Sequence, residues 1–196
     1  MLRSTTVLLA AALMMSCSVG CRVDPQTAET QQSSVHIHEV LASNRTSITD
    51  EDGDYSDWIE LYNPSESPVH LRGYGLSDDH RDPFTWVLPD VTLGGGQSLV
   101  IFASGKERLD PAGRLHTSFR LKPGGEEVVL TDRSGVIIDQ VEIPDLPPDI
   151  SLGRHPHTPD LWQVFHRPTP GLVNGEDGWL NPFDGTQGTP LSEVQL

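Results

Sequence analysis

Beyond position 21 the chain contains no cysteine, and its two cysteines, Cys17 and Cys21, both lie at the end of the first apolar run. An internal disulfide is thereby excluded from the rest of the chain, so stability must come from an apolar core or from metal. Positive charge is scarce too: 13 Lys and Arg stand against 28 Asp and Glu, a formal net charge of −15. Such a surface repels phosphate backbones, which argues against nucleic-acid binding. There is no G-x-S-x-G elbow, no H-E-x-x-H pair, no Walker loop and no thiol left to act as a nucleophile, so the expectation is a protein that is not an enzyme. Amphipathic helical periodicity is missing as well. Turn formers are abundant instead, with 18 Gly and 16 Pro.

Residues 1–16 hold Arg3 and then the apolar run 5–15, the pattern of a secretory signal peptide and too short for a stable membrane span. Small residues precede each cysteine, in Met14-Met15-Ser16-Cys17 and Ser18-Val19-Gly20-Cys21, and this resembles a bacterial lipobox. The resemblance implies cleavage before a cysteine that receives lipid, hence an exported lipoprotein of the cell envelope, at the outer membrane or cell surface, held to the membrane by its anchor. Met14 favours Cys17; the absence of a spare thiol after cleavage favours Cys21, and both stay open. Loss of Arg3 with the signal takes the formal charge from −15 to −16. Residues 17–34 then form the lipidated cysteine region and a polar tether with an r.m.s. reach of about 20–25 Å.

From residue 35 the apolar pattern is short and strand-like, broken every 8 to 12 residues by turn chemistry, which predicts an all-β sandwich. The expected strands are 35–41, 58–62, 69–76, 84–88, 97–103, 115–121, 127–131 and 136–143. Within 58–62, period two puts Ile59 and Leu61 on the core face and Trp58, Glu60 and Tyr62 on the other. Residues 145–174 are rich in Pro and His and are expected to wrap the sandwich as irregular chain. Residues 175–196 are expected to be a flexible tail.

Several pieces, in order, resemble the lamin tail domain. They are Asp57-Trp58-Ile59-Glu60-Leu61-Tyr62-Asn63, Leu71-Arg72-Gly73-Tyr74-Gly75-Leu76-Ser77-Asp78, Trp86-Val87-Leu88-Pro89, residues 99–106, Ser151-Leu152-Gly153-Arg154 and Pro168-Thr169-Pro170-Gly171-Leu172-Val173-Asn174. The resemblance covers residues 35–174 and implies an immunoglobulin-like β-sandwich that serves as an accessory, non-catalytic module. His38 departs from it, since bacterial relatives usually carry Asn before this Glu.

If successive strands reverse direction, loops 42–56 and 77–83 share one end of the sandwich. Asp50, Asp52, Asp54 and Asp57 would then approach Asp78, Asp79 and Asp82. Two carboxylates about 5 Å apart repel by roughly 0.8 kcal/mol in water and about 3 kcal/mol at an effective dielectric of 20. Calcium is the cofactor such a cluster suits, although Tyr55 breaks the EF-hand pattern. The competing expectation is a solvated acidic loop, neutralised by Lys106, Arg108, Arg114 and Arg133. A second candidate surface is Trp58, Glu60 and Tyr62, as an outward anchor for a partner, unless the segment around Trp162 covers them. His36 with His38, and His155, His157 and His166, are further histidine groups considered for metal. The sequence thus favours an envelope-anchored interaction or structural module for a protein or glycan, with a calcium-dependent hydrolase using the acidic-loop carboxylates as the alternative.

Overall fold

Ile59 and Leu61 have no exposed surface and lie in the main apolar cluster, as alternation along their strand requires. The computed structural model describes residues 35–172, 174–175 and the backbone of 188–190. The lipobox cysteines and tether lie outside them. Thirteen strands and no helix occur among the described residues: β1 (His36–Leu41), β2 (Trp58–Tyr62), β3 (Val69–His70), β4 (Gly75–Ser77), β5 (Trp86–Val87), β6 (Thr92–Leu93), β7 (Ser98–Phe102), β8 (Leu115–His116), β9 (Glu126–Thr131), β10 (Ile137–Ile143), β11 (Ser151–His155), β12 (Thr158–Phe165) and β13 (Gly188–Pro190).

They form a seven-stranded sheet in the order β13-β12-β11-β1-β2-β7-β8, a four-stranded sheet β10-β9-β4-β5 and a small ribbon β3-β6. Pairing is antiparallel except between β7 and β8. Ile37, Ile59, Leu61, Ile101, Leu152 and Val164 of the large sheet share a core with Leu76, Trp86, Val128, Leu130, Val141 and Ile143 of the smaller one. This is the sandwich expected from the sequence.

The expected strand 69–76 is broken in two. Gly73, at φ +84°, supplies the left-handed turn, and Tyr74 N–H closes it on the carbonyl of Leu71. The chain thereby passes from the β3-β6 ribbon to β4 in the four-stranded sheet. The strand expected at 115–121 shrinks to β8 and an isolated bridge between Ser104 and Arg120.

Residues 145–174 are only in part the irregular wrap expected, at 145–150 and 166–172. Between these lie β11 and β12, which pair from Ser151↔Phe165 to His155↔Thr158 and extend the large sheet beyond β1. Pro156 lies in the short turn between them, where it removes no ladder bond. Most of the expected tail lies outside the described residues, but Gly188–Pro190 pairs with Gln163–Phe165 as β13.

Candidate functional site

The acidic loop between β1 and β2 folds around Asp50. One carboxylate oxygen of Asp50 accepts the amides of Asp52 and Asp54, both at 3.0 Å, and the other accepts Ser56 Oγ at 2.9 Å. Gly53, at φ +83°, lets the chain reverse inside this ring. Lys106, from the loop after β7, completes the structure. Its ammonium donates to Asp50, Asp52 and Asp54 at 2.6, 2.7 and 2.8 Å.

Arg108 bridges Glu51 and Asp52, and Arg114 donates to the carbonyl of Thr49. Burial opposes ionisation of Asp50, but the bonds from Lys106, Ser56 and two amides outweigh it and hold the carboxyl well below its usual range. Desolvation likewise opposes charge on Lys106, and its three carboxylate partners raise its pKa regardless. Three of the four cationic residues expected at this end, Lys106, Arg108 and Arg114, are there. Arg133 is not: it donates to the carbonyl of His70 and lies 5.9 Å from the Tyr74 ring centre.

Asp78 and Asp79 do not join this cluster. Two separate groups with metal-ligand spacing occur among the described residues, Asp50 with Asp52 and Asp54, and Asp79 with His80 and Glu127. The reason is the layering, since β2 belongs to the large sheet and β4 to the small one, so loops at one end lie over different sheets. Asp79 is instead clasped by Arg81, and Glu127 accepts His80 Nδ1 at 2.6 Å. Asp57 accepts the amide of Asn44 at 2.8 Å, and burial raises its pKa to about 6.

The outward anchor formed by Trp58, Glu60 and Tyr62 requires correction, because Trp58 and Glu60 have no exposed surface. Trp58 belongs to a second apolar cluster with Leu41 and Phe102, and Ile48 of the acidic loop packs onto it. Trp162 does not cover it; that ring lies under the Arg154 guanidinium at 4.5 Å. Phe102 stacks on His116 at 5.2 Å between ring centres. His116 is fully buried, with Nδ1 2.7 Å from Ser104 Oγ and Nε2 3.0 Å from Glu51. A serine, an imidazole and a carboxylate in a row resemble an acyl-transfer site. Here the hydroxyl and the ring are both sealed from solvent, so the chain of bonds ties the acidic loop to β8.

Sequence reasoning missed a second polar cluster. A register shift between Ile37 and Glu39 lets Ile37 face Leu61 and Val40 face Ile59, while Glu39 stands opposite Glu60 on the outer face. The segment after β12 covers them. Glu39 accepts Ser151 Oγ at 2.5 Å and Thr169 Oγ1 at 2.8 Å, and Glu60 accepts the amide of Gly171 at 2.9 Å. Burial raises Glu39 to about 7 and Glu60 to about 8. His38 has its Nε2 3.2 Å from the amide of Asn174, and burial, then His36 and Arg154, lower it to about 3. The hidden signal was a pair of glutamates inside aliphatic strands, which period two alone assigns to solvent. As for the other histidines, His36 joins His38 and Tyr62 in a ring cluster. His155 and His157 share the turn before β12, where His155 Nδ1 accepts two amides.

Beside the acidic loop lies a hollow of about 380 Å³, lined by Tyr55, Asp57, Ser104, Lys106 and Arg120 among others. Tyr55 is 50% exposed. Arg120 is exposed, and its guanidinium makes no hydrogen bond or ion pair among the described residues, although its charge acts on Asp57.

The family model for the lamin tail domain matches residues 28–145. Among curated proteins, none matches the chain.

Proposed function

The chain belongs to the lamin tail domain family, and from that premise we propose that it is a non-catalytic interaction or structural module displayed from a bacterial envelope by lipid on Cys17 or Cys21. The observation that carries the interaction reading is the Lys106 knot. Three carboxylates and one ammonium fix the loop between β1 and β2 against the loop after β7. Loops held rigid on a β-sandwich present a surface already in its binding shape, which lowers the entropic cost of taking a partner. Asp50, Glu51 and Asp52 do not suit the general-acid role in the hydrolase alternative, because cationic or imidazole partners hold all three ionised and a general acid must carry a proton.

Calcium belongs to this proposal as a competitor of Lys106. The oxygens of Asp50, Asp52 and Asp54 lie within 4.8 Å of one another, a spacing a divalent cation accepts. The ammonium occupies the middle of that group, so calcium binds here only by displacing it.

Mass spectrometry of the mature N-terminal peptide tests the anchor. Acylation of Cys17 or Cys21 is expected, and the double change to serine moves the protein to the soluble fraction. An unmodified N-terminus in soluble mature protein overturns the anchored reading. For the interaction reading, a photoreactive residue at position 55 is expected to cross-link an envelope component in intact cells, and one at the exposed position 87, on β5, is not.

A further inference from the structure

The hollow beside the acidic loop has a composition that its structural role does not use up. Lys106 is consumed by three carboxylates, whereas the Arg120 guanidinium has no hydrogen-bonding or ion-pairing partner among the described residues and only acts through space on Asp57. Tyr55 keeps half of its surface in solvent rather than joining Trp58 and Phe102 beneath the same loop. Asp57 has one oxygen on the Asn44 amide and lines the hollow, while the Ser104 hydroxyl beneath is already taken by His116. The hollow therefore offers one guanidinium without a hydrogen-bonding partner, one exposed aromatic face and the Asp57 carboxylate as an acceptor for hydroxyls.

We propose that this hollow is a saccharide-binding site that takes a sugar carrying a carboxylate, such as a uronic acid residue of an envelope or extracellular polysaccharide. This rests on the interaction-module reading above and names its ligand class. A pyranose ring has an apolar C–H face that packs on an exposed tyrosine, and hydroxyls at its edge that donate to carboxylates and accept from cations. Arg120 receives the carboxylate with two parallel N–H bonds.

Charge favours a carboxylate over a phosphate as the one group that sits at Arg120. With Asp54 and Asp57 in the wall, a phosphate dianion meets twice the repulsion of a carboxylate at the same distance. A peptide is less suited, since peptides bind through free strand edges or apolar grooves, and here the apolar lining residues Ala103 and Leu121 are themselves buried. About 380 Å³ is at the small end of ligand pockets, which start near 300 Å³, and this fits one or two sugar rings at modest affinity.

The test is calorimetric titration of the full chain, with Cys17→Ser and Cys21→Ser to keep it soluble, against trigalacturonate, a neutral galactose trisaccharide and an acidic tripeptide of equal charge. Trigalacturonate is expected to bind at least 10-fold more tightly than either other probe. Arg120→Met should weaken trigalacturonate at least 10-fold and leave the neutral sugar unchanged, whereas Tyr55→Ala should weaken both. Both residues are exposed, so the variants should melt as the parent does. No binding of trigalacturonate, binding indifferent to both variants, or stronger binding of the peptide overturns the saccharide site. In those cases a cross-link formed through position 55 in cells leaves the interaction reading standing, and its absence removes both.

Discussion

Glu39 and Glu60 stand directly opposite one another on neighbouring antiparallel strands, and neither has any exposed surface. Two charges at a cross-strand pair repel, and in a buried site the cost of ionising both is larger still. The pair is tolerable because at least one member keeps its proton at neutral pH, consistent with values raised to about 7 and about 8 by burial. Thr169 Oγ1 reaches Glu39 at 2.8 Å and Asn174 at 3.1 Å but has one proton to give. A protonated Glu39 that donates to Thr169 satisfies both contacts.

Stability should therefore fall on the alkaline side. An acid whose folded pKa is raised stabilises fully below its unfolded value, here 4.5, and loses that contribution as pH rises through 7 and 8. His38 works the other way, since a folded value near 3 costs stability only as pH drops below 6.5. From pH 6.5 to 8.5 the glutamates dominate the slope, a loss of about 2–3 kcal/mol. Glu60→Gln should flatten that limb of the melting-temperature curve by more than half, and an unchanged slope would show that the pair titrates normally.

Removing the internal ammonium should create a calcium requirement. Lys106→Met leaves the buried Asp50 charge unpaired beside two others and should cost about 3 kcal/mol in chelator. Millimolar calcium should recover most of that loss and raise the melting temperature of the parent far less, because there it must displace Lys106. Magnesium should do less in the variant, since it prefers rigid octahedral sites. Equal calcium effects on parent and variant would show that the metal binds elsewhere.

Truncations along β2 should separate three environments. Leu61→Ala empties the main core and Trp58→Ala the second cluster, so each should cost about 2–5 kcal/mol. Tyr62, only partly buried among His36 and His38, should cost about 1 kcal/mol when changed to Ala. Denaturant titration orders the three, and a Trp58 loss as small as that of Tyr62 would refute its role in packing.

Gly153→Ala should disturb the covering segment selectively. A Cβ at Gly153 would meet Asn174 Nδ2 at 2.6 Å and the Phe165 ring at 2.8 Å. Displacing Asn174 breaks its bonds to the carbonyls of His38 and Arg154. Faster amide exchange at Thr169 and Gly171 is expected, with the protection of β9 and β10 retained.

Alternation in Trp58–Tyr62 was legible because Ile59 and Leu61 form a regular aliphatic row, and the hairpin turn at 132–135 was legible from its Asp and Gly. The burial of Trp58 and Glu60 was not, because period two tells which face a residue takes and is silent on what later covers that face. The cover comes from the acidic loop for Trp58 and from residues 169–174 for Glu60, contacts about 110 residues apart in the second case. β11 and β12 were obscured by their own Pro and His content, since pairing with β1 outweighs weak local preference. At the candidate site, loop parity placed Lys106, Arg108 and Arg114 correctly, but it says nothing about which layer a loop belongs to, and so it merged Asp50 and Asp79 into one cluster.

β12 is the longest strand, with eight residues, and its outer neighbour is the three-residue β13. A long strand at the rim of a sheet is a template on which a second molecule can build by adding its own strand. Here the chain fills part of that rim with its own C-terminal segment, and Pro190 within it has no amide hydrogen with which to recruit a further strand. Such an end-stop keeps neighbouring copies of a β-sandwich from zipping edge to edge into fibres.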